Sequence, residues 1–317
     1  MPDLPILVRK TVRGAKNPAK IYLAGLAKSG RRTVDVQLRG VARMVGASSI
    51  DTVPWHLLKH EHVVALKTKA LELGKSPATV NLMLAGIRGA VRTAWNMGMM
   101  TAEDLAKIEA VKGVKAVTEP KGRRITSGEL GAIMKGINIE TPSGKRDAAI
   151  IALAYCGGLR RQEIASLQFE NVNDLREEIE ITIKAGKGRK DRILFLNNGG
   201  ADALKDYVSA RGDSPGFLFW SSLKGGRLIE DSKMTDQAVY ARIKRCAKVA
   251  GLKPLSPHDM RRSFVSDMLD NGVDISTVAA MAGHSSVSTT QRYDRRGDEA
   301  KKRAAKALHL PYRTSKP

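Results

Sequence analysis

The chain has 317 residues, 42% of them hydrophobic, and sets 54 Lys and Arg against 32 Asp and Glu. That length suits two domains of about 100–200 residues, the apolar share supports a buried core, and a net charge of +22 points to a polyanionic partner. Two cysteines, no apolar run near the roughly 18 residues of a membrane span and no secretory h-region exclude disulfide-scaffold, metal-cluster, membrane and secreted classes, and a cytoplasmic protein is expected.

The first stretch reads as helices only. Residues 18–28 follow an Asn-Pro start and place Ile21, Leu23, Ala24 and Leu26 at helical spacing. A second apolar pattern runs through Val34, Leu38, Val41 and Met44. Further helices are predicted over 61–73 and 77–97, the latter with Leu82, Ile87, Val91 and Trp95 along one stripe. About seventeen residues precede the first helix, so no additional N-terminal domain is expected there. Residues 114–125 carry Pro120, Gly122 and several basic groups without periodicity, the composition of an interdomain linker. Residues 1–120 hold 19 basic and 9 acidic groups, and residues 121–317 hold 35 and 23, so both parts are basic.

Beyond the linker the texture changes. Thr126 and Glu129 form a capping box before a helix containing Leu130, Ile133 and Met134. Ala148 to Tyr155 reads as a buried helix. Strands are predicted at 180–183, 192–196 and 217–220, the first two joined as a hairpin. Helices resume at about 201–209, 234–250, 258–270, 274–281 and 286–293. The second part is therefore mostly helix with one small sheet.

The chemistry concentrates on a few positions. Ser256 and Pro257 start a helix, and a wheel of about 100° per residue puts Arg261 in the arc of Phe264, Val265, Met268 and Leu269, with His258 at its edge. Asp259, Ser263, Ser266, Asp267 and Asp270 fall opposite. An inward arginine is costly unless an anion meets it, either a core carboxylate or a bound ligand. Arg160 shares a face with Ile164 and Leu167, and it too admits a local partner, Glu163, which is expected to brace the loop or helix. Two such arginines from distant regions could converge on one phosphate, whose oxygens match the guanidinium fork. Residues 185–192, with Gly186, Lys187 and Gly188, form a basic hairpin tip, either a plain solvated turn or a backbone able to approach DNA. His284 and Tyr293 follow in a polar segment, 26 and 35 residues after His258.

In order and spacing, G-L-R-R-Q-E, G-K-G-R-K-D-R, P-H-D-M-R-R-S-F, A-G-H-S-S and Tyr293 closely resemble the boxes of the tyrosine recombinases, also called phage integrases. Three residues separate His258 from Arg261, 23 separate Arg261 from His284, and nine separate His284 from Tyr293. One departure is Arg262-Ser263, where many members carry His-Thr. The resemblance implies a mainly α fold with a small antiparallel sheet. Its parts would be an N-terminal extension (1–17), a helical core-binding DNA domain (18–113), a linker (114–125), a catalytic domain (126–296) and a C-terminal tail (297–317) with a helix over 298–308.

It further implies that Tyr293 is the nucleophile and that Arg160 and Arg261 hold the non-bridging oxygens of the scissile phosphate. Lys187 would protonate the departing 5′-oxygen, His258 would move the proton on the nucleophile side, and His284 would hydrogen-bond the phosphate. The 3′-phosphotyrosyl link conserves the energy of the phosphodiester, so no cofactor, metal or ATP is expected, and the sequence has no Walker-type loop. The implied partners are double-stranded DNA at specific sites, three further copies in a tetramer passing through a Holliday junction, and an accessory directionality factor. A bacterial or phage-encoded integrase of a mobile element is the first reading. Xer-like dimer resolution, a topoisomerase IB-like relaxing enzyme and a catalytically inactive DNA-binding regulator are the alternatives.

Overall fold

The computed structural model describes residues 17–115, 122–174, 178–184 and 191–294, with the single positions 297, 302 and 305. The N-terminal extension up to residue 16, linker positions 116–121 and the basic tip 185–190 with Lys187 lie outside the described residues. So does the expected tail helix, apart from two positions. The chain divides into two compact units, Met1–Glu119 and Pro120–Pro317.

The regular elements of the first unit are all helices among its described residues. Asn17 is buried and caps α1 (Pro18–Gly25) by accepting from the Ala19 and Lys20 amides, while its own amide donates to the carbonyls of Ile50 and Asp51. One side chain thus satisfies a helix start and ties it to a loop 33 residues away. The long helices α2 (Lys28–Met44), α3 (His60–Glu72) and α4 (Pro77–Asn96) and the short α5 (Ala102–Glu109) surround a core of Leu38, Trp55, Leu66, Leu84, Ile87 and Ile108. The α4 stripe is displaced from the one expected. Val80, Leu84, Ile87, Val91 and Ala94 repeat at intervals of four and three and are buried, whereas Trp95 is 44% exposed and Leu82 is only part-buried. α5 has no strong apolar signature. Its Thr101 cap and the burial of Ile108 hold it.

The second unit packs helices on a small sheet. Thr126 and Glu129 make the expected capping box of α6 (Ser127–Lys135), and α7 (Pro142–Tyr155) is almost wholly buried. After α8 (Arg161–Ser166), strands β1 (Val172–Asp174), β2 (Glu178–Ile183) and β3 (Arg192–Asn197) form an antiparallel sheet in that order. Register pairs Ile183 with Arg192, Ile181 with Leu194 and Ile179 with Leu196. The two-residue period sends these apolar side chains to the core face, and Ile193 and Phe195 to the opposite, exposed one. Helix α9 (Asn198–Arg211) packs beside α7, where Leu204 and Tyr207 enter the core. The third expected strand belongs to a separate hairpin, β4 (Trp220–Ser222) with β5 (Leu228–Lys233), and Phe217 makes only an isolated bridge to Gln168. Helices α10 (Asp236–Val249), α11 (Pro257–Asp270), α12 (Ile275–Ala282) and α13 (Val287–Gln291) complete the unit.

Helix α11 differs from its wheel. Phe264, Val265 and Leu269 of its apolar arc are buried as expected and Met268 is part-buried, but Asp259 and Ser263 on the polar arc are buried too. The segment 122–125 lies along them. Ser263 Oγ accepts from the Ile125 amide at 2.7 Å, Asp259 Oδ1 accepts from the Arg123 amide at 3.1 Å, and Arg124 forms ion pairs with Asp267 and Asp270. Asp259 and Ser263 thus bond to a strap of backbone, and Asp267 and Asp270 to a side chain it carries, which a wheel drawn for one helix does not reveal.

Candidate active site

Two glycine carbonyls set the arginines. Gly158 precedes α8 with a φ of +57°, and its carbonyl accepts from Arg261 Nη1 at 2.7 Å. Gly283 ends α12 in the left-handed conformation, φ +65°, and its carbonyl accepts from Arg160 Nη2 at 2.9 Å. A side chain at either place would meet more than backbone strain. A Cβ at Gly158 would lie 2.4 Å from the Phe264 ring, and one at Gly283 would lie 2.8 Å from Arg192 Nη1 and oblige that guanidinium to shift. The glycines of the G-L-R and A-G-H boxes are therefore structural parts of the arginine site.

Arg160 is the N-cap residue of α8 rather than a member of its buried face, and its side chain is 35% exposed. Glu163 accepts from the Arg160 amide and ion-pairs with Arg160 Nη1 at 2.9 Å. The same carboxylate receives Arg192 Nη1 and Nη2 at 3.2 and 2.8 Å, and Arg192 Nε donates to the Met281 carbonyl. Burial pushes the Glu163 carboxyl up, but hydrogen bonds from Arg192 and Arg160 outweigh it and hold the group below its usual range. One carboxylate thus serves two guanidinium groups. Counting Arg261, three cations share a single anion, which leaves this corner net positive.

Arg261 is 4% exposed. Beyond the bond to Gly158, its Nη2 is buried without a hydrogen-bond partner. Burial, reinforced by the nearby charge of Arg160, pushes its guanidinium down to about 10. It stays charged at neutral pH, yet it is a desolvated cation facing another cation, and an anion between them relieves both terms. The space for one is present: Arg160, Arg161, Tyr240, Ser256, His258 and Arg261 line a cavity of about 260 Å³.

The remaining groups gather on one side. Tyr293 Oη lies 3.2 Å from His258 Nε2, and the Tyr293 and His284 rings stack at 6.3 Å between centroids with planes 20° apart. His284 is anchored by Nδ1 to Thr290 Oγ at 2.8 Å. Burial, then the charges of Arg261 and Arg160, pushes His284 down to about 4. Burial of one side of His258, then Arg262 and Arg261, holds it below the usual imidazole range. Both imidazoles are therefore neutral at pH 7, and a neutral His258 can accept the phenol proton at Nε2. Tyr293 itself lines a second cavity, of about 470 Å³, and reaches the first through His258.

The fold thus brings together Arg160, His258, Arg261, His284 and Tyr293 from four separate stretches of chain, while Lys187 lies outside the described residues. In the sequence Arg192 reads as the end of the basic tip 185–192. Its role in gripping Glu163 and Met281 becomes visible only once β3 is paired with β2. One signal is present in the sequence: Glu163 lies three residues from Arg160, and a carboxylate in so basic a chain invites a second cationic partner.

Residues 123–299 match the phage integrase family. Tyrosine recombinase XerD of Pseudomonas aeruginosa is 30% identical over 229 residues, covering 70% of this chain and 72% of the relative. Tyrosine recombinase XerC of Corynebacterium efficiens is 31% identical over 228 residues, covering 71% and 69%. Two solved structures share the fold. The Tn1549 transposon integrase in complex with transposon right end DNA has a TM-score of 0.67 and 17% identity, over 92% of this chain and 99% of that one. A lambda integrase dimer bound to a COC′ core site has a TM-score of 0.66 and 16% identity, over 88% and 93%. The chain belongs to the phage integrase family of tyrosine recombinases, enzymes that transfer DNA strands.

Proposed function

We propose that this protein is a site-specific recombinase that cuts and rejoins duplex DNA through a covalent bond between Tyr293 and a 3′-phosphate. The observation that carries the reading is the pair of guanidinium groups at one cavity. Arg261 Nη2 there is buried and without a partner, and the Tyr293 hydroxyl is bonded to His258 alongside. In the forward step the phenol oxygen bonds to phosphorus, its proton passes to His258 Nε2, and the bond to the 5′-oxygen breaks. Lys187 supplies the proton that the 5′-oxygen takes up, which leaves a free 5′-hydroxyl. Arg160 and Arg261 stabilise charge gathering on the non-bridging oxygens, an electrostatic effect of about 10²–10³ in rate per donor. Attack by a 5′-hydroxyl reverses every transfer and regenerates a phosphodiester.

Both units bind the duplex, the first unit acting as a core-binding domain, and phosphate contacts make affinity fall with salt. Strand exchange between two sites requires four copies and passes through a Holliday junction. A lambda integrase tetramer bound to a Holliday junction has a TM-score of 0.66 to this chain, which supports the compatibility of the fold with that assembly. Integration and excision of a mobile element is the role proposed first. The XerC and XerD relatives favour a second, dimer resolution. Direct repeats found flanking the gene would support the first, and rescue of a host lacking its own dimer-resolving recombinase would support the second.

The chemistry is tested with duplexes of random sequence carrying a nick 3′ of the cleavage point, so that the short strand with the 5′-hydroxyl is lost after cutting. The wild type captures a covalent adduct on a subset of sequences, and Tyr293→Phe captures none. An adduct retained by Tyr293→Phe refutes the assignment. No adduct from either protein favours the DNA-binding regulator.

A further inference from the structure

Arg262 adjoins Arg261 but serves the other cavity. Its side chain is 6% exposed, Nη1 donates to the Gly122 carbonyl at 3.0 Å, and the guanidinium lies over the Tyr293 ring, 5.5 Å from its centroid. Gly122 begins the segment 122–125 that bonds along α11 through Asp259, Ser263, Asp267 and Asp270. Tyr293 therefore has His258 at its hydroxyl, His284 stacked on its ring and Arg262 over the ring. Beside Arg262 and Tyr293 the cavity of about 470 Å³, lined also by Arg123, Arg124 and Arg292, leaves room into which the phenol could swing.

We propose that Arg262 is a positioning residue for the nucleophile: fixed to Gly122, it holds the Tyr293 ring so that the hydroxyl stays against His258. This rests on Tyr293 being the nucleophile. An arginine suits the task because its planar fork donates to a carbonyl while its face covers an aromatic ring, which the point charge of a lysine does not reproduce. The attraction of a guanidinium for such a ring corresponds to a roughly 2- to 30-fold bias in population, and the rate of attack follows the competent fraction. The segment 122–125, the end of the expected linker, is thereby coupled to the readiness of the nucleophile.

The test uses the full chain and a nicked duplex selected by capture on the wild type. Arg262→Gln is expected to slow adduct formation about tenfold while DNA affinity stays within twofold, and Arg262→Lys is expected to remain slow. With 3-fluorotyrosine in place of the six tyrosines, the Tyr293 resonance, identified by its loss in Tyr293→Phe, is expected to shift or split in Arg262→Gln. The Tyr22 and Tyr207 resonances stay in place. Adduct formation within twofold of wild type overturns the proposal, and so does a slow variant in which the Tyr22 and Tyr207 signals move as well, which marks a general loss of structure. A wild type that forms no adduct overturns the functional reading instead.

Discussion

Gly158→Ala separates the backbone requirement of the arginine site from ordinary stability. At φ +57° an L-residue costs about 1–2 kcal/mol. The added methyl would also lie 2.4 and 2.9 Å from Phe264 Cδ1 and Cε1, and overpacking of that kind costs about 1–3 kcal/mol. The sum is about 2–5 kcal/mol, and at about 2–4 °C per kcal/mol for a unit of this size the melting temperature falls by roughly 4–20 °C. Gly272→Ala is the control, because Gly272 has φ +87° with nothing within 4 Å of a built Cβ, so only the strain applies. Denaturant unfolding should show Gly158→Ala less stable than Gly272→Ala by about 1–3 kcal/mol. Adduct formation by the folded protein should fall at least about tenfold for Gly158→Ala, whose carbonyl holds Arg261, and stay near wild type for Gly272→Ala. Equal stability losses, or a wild-type adduct rate for Gly158→Ala, refute the reasoning.

Glu163→Gln removes the carboxylate shared by Arg160 and Arg192, so adduct formation should slow by about tenfold or more, at a cost to stability below the roughly 3–5 kcal/mol of a fully buried pair because Arg160 is partly exposed. The native Glu163 carboxyl lies below its ordinary 4.5, so its contribution is complete above that pH and is lost as pH falls through the native value. Acid titration of unfolding should therefore show a weaker pH dependence in the variant. His284 lies near 4 rather than 6.5, so the fold should lose stability as pH falls from 6.5 toward 4, and His284→Gln should flatten that slope in urea midpoints. Identical slopes for variant and wild type contradict the burial of a neutral imidazole.

The helical first unit and most of the second were legible because caps and periodicity act locally. Thr126 and Ser256 each cap the helix they were expected to start. Long-range partners were not legible in the same way. The displaced α4 stripe depends on which neighbours the helix meets, and the buried polar arc of α11 depends on a segment more than 130 residues away. Arg261 was readable as an inward cation. Arg160, expected on the face of Ile164 and Leu167, sits instead at the cap of α8, because its outward turn is set by Gly283 and Glu163 together.

We propose that two guanidinium groups stabilise charge on the phosphate that Tyr293 attacks. This is tested most directly by measuring adduct formation of wild type and Arg261→Ala on two versions of one nicked duplex, with a normal phosphate or a neutral methylphosphonate at the cleavage point. The loss caused by Arg261→Ala should be about 10²–10³ on the phosphate and shrink below about tenfold on the methylphosphonate, where the charge it opposes is gone. The same loss on both duplexes contradicts the account.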